Sequence, residues 1–179
     1  MDTQQTWKGL NDGVTCEWTL FAKVKPGHEK TLLDWTKARI SKSGKDEEDK
    51  VVKIGTLHDS RWVFFDNGTR VLFTSNFDGD WGQYIDDFFA TGFVEQGFDG
   101  VLAHCEGYST DAPDAEKKKW FQDHTQEAVR YTRTYHGTAK EMRRALEVDK
   151  AFQQVLDNPA AAKALADPAL KPLLDLAAH

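Results

Sequence analysis

Apolar and polar positions alternate over residues 15–24, TCEWTLFAKV, with Cys16, Trp18, Leu20, Ala22 and Val24 interleaved with Glu17, Thr19, Phe21 and Lys23. A period of two sends successive side chains to opposite faces, so this stretch predicts a β-strand. Pro26-Gly27 punctuates the chain, and Leu32, Leu33, Trp35, Thr36 and Ile40 then fall near helical spacing. The strand therefore hands over to an amphipathic helix ending near Ile40 to Ser43. Residues 41–50, SKSGKDEEDK, contain no apolar side chain and predict a solvated loop.

The next signal is the strongest. Asn67-Gly68 stands between two β-branched and aromatic runs, the signature of a type I′ hairpin. If the turn has two central residues, partners across the ladder have numbers summing to 135. Trp62 then faces Phe73, Phe64 faces Val71 and Ser60 faces Ser75 on one side, with His58 opposite Phe77. On the other side Val63 faces Leu72, Arg61 faces Thr74 and Asp59 faces Asn76, so that side starts apolar at the turn and ends polar. A helical stripe of Trp81, Tyr84, Ile85, Phe88 and Phe89 follows, capped by Asp80 or Asp78.

After Gly97 and Gly100, residues 101–108, VLAHCEGY, alternate Val101, Ala103 and Cys105 with Leu102, His104 and Glu106, which predicts a fourth strand. The remainder predicts helices: residues 111–135 after Pro113, then a segment opened by Thr138 and Glu141 as a capping box, then two short helices begun by Asn158-Pro159 and Asp167-Pro168. The order βαββαβ plus a tail is that of a ferredoxin-like α+β fold, a four-stranded antiparallel sheet with both helices on one face. Residues 1–110 form that domain, and residues 111–179 form a helical extension packed on it. Because the second sheet face also carries large apolar residues, either the tail or a second subunit is expected to cover it.

Composition narrows the classes. With 179 residues, 40% hydrophobic and 12% aromatic, the chain has material for one domain with a ring-rich core. Its net charge of -6 disfavours nucleic acid as a partner. No apolar run reaches membrane-spanning length and the first residues hold no apolar leader segment, so no membrane partner and a cytoplasmic location are expected. Cys16 and Cys105 lack paired metal or redox spacing and read as buried small hydrophobes.

Two stretches, FAKVKPGHEKTLLDW and LHDSRWVFFDNGTRVLFTSNFDGDWGQYIDDF, resemble the dimeric α+β barrel superfamily, in particular bacterial members with a His-x-x-Arg-aromatic strand followed by a Ser-Asn-aromatic-Asp-Gly strand. The resemblance spans about residues 15–108. It implies a homodimeric barrel and points to His58, Arg61, Asn76 and Asp78. The superfamily includes cofactor-independent monooxygenases, polyketide cyclases and haem-degrading enzymes, with haem-binding dye-decolourising peroxidases and chlorite dismutases as distant relatives. Asp59-Ser60 stand where the pattern has an apolar pair.

Chemically, His58 suits a general base or a haem ligand, since its pKa lies near working pH. Arg61 suits a carboxylate or enolate oxygen, or an ion pair with Asp59. Asn76 suits a developing oxyanion, and Asp78 either that site or only the strand-to-helix turn. His104 with Glu106, near Glu17 and Thr19 of the first strand, forms a second His/carboxylate set. Trp62, Phe73 and Phe77, with Asp59, Ser60, His104 and Glu106, are the expected substrate-binding residues. His124 is a rival haem ligand, and His136-Gly137 reads as a helix stop. No metal site, nucleophile elbow or phosphate loop is present in the pattern.

Three functions follow: a cofactor-free oxygenase or cyclase acting on a flat apolar molecule, a haem protein, and a non-catalytic dimeric binding module.

Overall fold

The computed structural model describes residues 8–40 and 52–177. The predicted loop 41–50 lies outside them. The chain is α+β and divides into two compact units, Met1–Ala139 and Lys140–His179.

The first unit is built on a three-stranded antiparallel sheet of order β1-β3-β2, formed by β1 (Thr15–Lys23), β2 (Leu57–Phe65) and β3 (Arg70–Asp78). The hairpin keeps the predicted register from Asp59 opposite Asn76 to Phe65 opposite Arg70. The connection has three successive positive φ values, 50° at Asp66, 56° at Asn67 and 82° at Gly68, and two overlapping turns close it, Gly68 N–H on the Phe65 carbonyl at 3.0 Å and Thr69 N–H on the Asp66 carbonyl at 3.2 Å. One expectation fails at the far end. Leu57, not His58, pairs with Phe77, because a β-bulge between Leu57 and Asp59 inserts an extra residue. A bulge reverses the alternation beyond it, so His58 crosses to the other face.

The fourth strand is also corrected. The chain passes through a π turn (Val94–Phe98) into α3 (Asp99–Leu102), and Cys105 alone bridges Val24. Lys25 N–H to the His104 carbonyl (2.8 Å) and Glu106 N–H to the Lys23 carbonyl (2.9 Å) hold that single bridge beside β1. The helical conformation has a packing reason. Trp35 of α1 (Glu29–Ile40) sits so close to Gly100 that a Cβ there would lie 2.0 Å from its ring.

The helix-side core forms because Cys16, Trp18, Leu20 and Ala22 share a face with Val71, Phe73, Ser75 and Phe77. Onto that face α2 (Trp81–Ala90), capped by Asp80 as predicted, packs Trp81, Tyr84, Ile85 and Phe88. Phe98 supplies the centre, with its ring 4.9 Å from Phe73, 5.3 Å from Trp62 and 5.4 Å from Phe121 of α4 (Asp114–His124). Both cysteines are buried and unbridged, and burial pushes the Cys16 thiol up to about 11 and that of Cys105 up to about 12.

Helix α4 ends at His124, where the Thr125 hydroxyl bonds the Phe121 carbonyl and accepts the Trp18 indole N–H at 2.9 Å. Residues 125–135, the second half of the predicted helix 111–135, are instead irregular, and residues 136–138 continue without regular structure. The second unit continues α5 (Ala139–Leu156), followed by α6 (Ala162–Leu165) and α7 (Lys171–Ala177). Asn158 and Asp167 cap the two short 3-10 turns between them, as the Asn-Pro and Asp-Pro pairs predict. Among the described residues no helix is long and apolar enough to cross a membrane.

Candidate functional site

The site lies on the sheet face turned away from α2. Its half near the turn is apolar and partly open: Phe21, Val63, Phe65 and Leu72, with the Arg70 guanidinium 6.0 Å from the Phe21 ring. The other half is polar. Residues 125–138 form a strap that begins at the outer edge of β1, where Gln126 N–H bonds the Thr19 carbonyl at 2.8 Å. It ends beside β3, where Ala139 N–H bonds Asp78 Oδ2 at 2.7 Å. Beneath it Thr15 is fully buried and Glu17 is only 7% exposed.

The bulge brings His58 against Asp78. His58 Nε2 lies 2.7 Å from Asp78 Oδ1 and 3.4 Å from Thr15 Oγ1, and its side chain is 3% exposed. The Tyr135 ring of the strap is centred 6.1 Å from the imidazole. Such a pair fixes the ring orientation and tautomer, as an acid–base group requires.

Glu17 is a buried carboxylate whose partners are the Leu10 N–H (3.3 Å) and the Thr19 hydroxyl (2.9 Å). Burial raises its pKa, and those two bonds oppose the rise. Asp12, at the start of β1, is driven the other way, to about 2, chiefly by the Thr15 N–H, with Val14 N–H and Arg133 helping. Arg133 donates through Nε to Asp12 Oδ2 (2.9 Å) and through Nη1 to the Gly137 carbonyl (3.0 Å).

Two strap atoms have no partner although both are sealed from solvent: the Tyr131 hydroxyl and Arg133 Nη2. A buried donor left unpaired costs about 1–3 kcal/mol, so a pair of them in one short segment is a feature to be explained. Burial pushes the Tyr131 hydroxyl up to about 12, with Arg133 opposing and Asp12 and Asp59 reinforcing the rise.

The predicted residues separate into three places. His58, Asp59, Arg61 and Asn76 share this face, but two pairs satisfy themselves: Asn76 Nδ2 donates to both Asp59 oxygens at 3.0 Å, and Arg61 Nε to Thr74 Oγ1 at 3.1 Å. Trp62, Phe73 and Phe77 point instead to the helix side, where Phe77 stacks on Tyr84 at 3.9 Å and Phe73 meets Trp62 at 4.6 Å. Ser60 is exposed on that same side of β2. His104 and Glu106 lie at the far end of β1, where His104 Nδ1 meets His28 Nδ1 at 3.1 Å rather than a carboxylate. Burial, His28 and Lys25 lower the His104 pKa.

Tyr131, Arg133, Asp12 and Thr15 were missed. A signal existed: Tyr-Thr-Arg-Thr-Tyr at 131–135 alternates with period two, which marks an extended segment.

Among the described residues no three His, Cys, Asp or Glu side chains converge as metal ligands. The fold is thus an α+β sheet with one packed face and one strapped face. Comparisons with known protein families, curated proteins and solved structures find no match to this chain.

Proposed function

We propose that this chain is a small-molecule enzyme that works by acid–base chemistry on the strapped face, without a cofactor. The observation that carries the reading is the buried His58–Asp78 pair, which Thr15 and the Ala139 N–H hold in place. In this reading the substrate lies beneath the strap beside the Tyr135 ring, which is centred 6.1 Å from the imidazole, because the apolar end at Val63 and Phe65 is roughly 16–23 Å along β2 from His58. The substrate's acidic C–H or phenolic O–H is directed at His58, which takes the proton while Asp78 steadies the imidazolium. Deprotonation to an enolate or phenolate is the step shared by cofactor-free oxygenation and cyclisation, the chemistry that the sequence resemblance implies.

Haem suits the arrangement less well. His58 Nε2 is engaged by Asp78, and His124 is stacked on Trp120 at 3.8 Å with Nδ1 against the Trp120 carbonyl. Each ring keeps its other nitrogen, so ligation does not decide the matter; what disfavours a porphyrin is that Trp62, Phe73 and Phe77, the rings expected around it, are packed on their neighbours.

Proton exchange tests the proposal. With 2,4-pentanedione and 2-naphthol in D₂O, the protein should accelerate C–H exchange over buffer, and His58→Gln should remove roughly 10²-fold or more of that acceleration. No acceleration by the wild type with either compound would end the reading. A second reading, a non-catalytic dimer, is favoured by the self-satisfied Asp59–Asn76 and Arg61–Thr74 pairs and the half-open apolar end. In that case His58→Gln lowers stability alone, and sedimentation gives twice the chain mass.

A further inference from the structure

We propose that the ligand of the strapped face is an anion with a flat apolar body, a carboxylate, enolate or phenolate, whose charged oxygen is seated by Tyr131 and Arg133. The inference rests on the preceding reading that this face is a small-molecule site, and it specifies what that site takes.

The first argument is a balance of donors and acceptors. The polar half holds four carboxylates, and both oxygens of each are already accepting. Asp12 takes Val14 N–H and Thr15 N–H on one oxygen and Arg133 on the other. Glu17 takes Leu10 N–H and the Thr19 hydroxyl. Asp59 takes the Asn76 amide on both oxygens. Asp78 takes His58 and Thr15 on one and Ala139 N–H on the other. What the strap leaves over is donors, the Tyr131 hydroxyl and Arg133 Nη2. A ligand that completes this network must bring an acceptor.

The second argument is geometry. Tyr131 and Arg133 are half-buried while Thr132 and Thr134 are exposed, and the Arg133 charge acts on the Tyr131 hydroxyl, so the two side chains share the inward side of the strap. Arg133 is oriented by Asp12 and Gly137, and its side chain is 6% exposed. Its guanidinium therefore presents Nη2 from a fixed position, an arrangement suited to an oxyanion. The Tyr131 hydroxyl stays protonated at neutral pH and remains a donor. Because both atoms are closed to solvent, the strap must lift to admit the ligand and settle again on it.

Three probes of one shape and different charge test this on the full chain: benzoate, benzamide and benzylammonium, titrated by NMR and calorimetry. Benzoate should bind, benzamide more weakly, and benzylammonium not at all. Tyr131→Phe should weaken benzoate about tenfold and leave Tm unchanged or slightly raised, because that hydroxyl makes no bond in the empty protein. Arg133→Gln should weaken benzoate further. If the latter variant fails to fold, Tyr131→Phe still decides the matter. Absence of benzoate binding, preference for benzylammonium, or wild-type affinity in Tyr131→Phe would each overturn the proposal. Ser60→Ala, on the opposite side of β2, should hold benzoate within about twofold. Benzoate binding without proton exchange would fail the catalytic reading and keep this one, and exchange without benzoate binding would do the reverse.

Discussion

The two faces of the sheet are made from the same three strands and obey different rules. On the helix side the rings of Trp18, Phe73, Phe98 and Phe121 interlock, and the buried Ser75 hydroxyl finds the Tyr84 hydroxyl at 2.5 Å. One donor there, Trp120 Nε1, is sealed from solvent without a partner. On the strapped side Val63 is 37% exposed, Glu17 is a buried acid, and two donors are unsatisfied. Departures from local consistency concentrate where function resides, because a site must hold groups that a core would exclude. The helix side accounts for the stability, and the proposed chemistry is assigned to the strapped side.

The contrast is most sharply tested at Phe98. Phe98→Ala opens a cavity among six rings, and by the usual cost of such truncations it should lose about 3–5 kcal/mol in urea unfolding. Val63→Ala on the opposite face should lose no more than about 1 kcal/mol. Equal losses would mean that the apolar end of the strapped face is covered in solution, as by a second copy.

Gly100→Ala comes next. The added methyl would meet the Trp35 ring at 2.0–2.9 Å, and a ring wedged between two helices has little room to give, so overpacking of about 1–3 kcal/mol is expected. The companion Trp35→Leu should restore part of the loss in Gly100→Ala, and a purely additive double variant would show that the two do not touch.

How much of this was readable beforehand follows from the range of the interactions. The hairpin register was legible because Asn67-Gly68 is local turn chemistry, and the α2 stripe because Trp81 to Phe89 is a clean helical period with Asp80 at its start. The bulge was not, since the polar run His58-Asp59-Ser60 is compatible with either face. Residues 101–105 misled because a short apolar run fits a strand or a helical turn equally. The deciding contact, Trp35 on Gly100, is tertiary. Within the site, His58, Asp59 and Asn76 were visible as polar residues in an apolar hairpin. The pairing of Arg133 with Asp12 was not legible, because the two are 121 residues apart.

The smallest effect bears on the strapped face alone. In Glu17 burial holds the folded pKa above the unfolded value of 4.5, so between those two values the folded state binds more protons. Stability therefore falls as pH rises through that window, and above it the full penalty of the buried charge remains. Glu17→Gln removes the charge and keeps the shape: the amide oxygen still accepts Leu10 N–H, and the amide N–H can donate to the Thr19 hydroxyl. We expect the variant to be more stable than wild type at pH 8 by on the order of 1 kcal/mol, or roughly 2–4 °C in Tm for a chain of this size. The two Tm values should converge below pH 4.5. A variant less stable than wild type at pH 8 would show that the carboxylate is held charged by a cation under the strap, and the excess of donors assigned to that side would disappear with it.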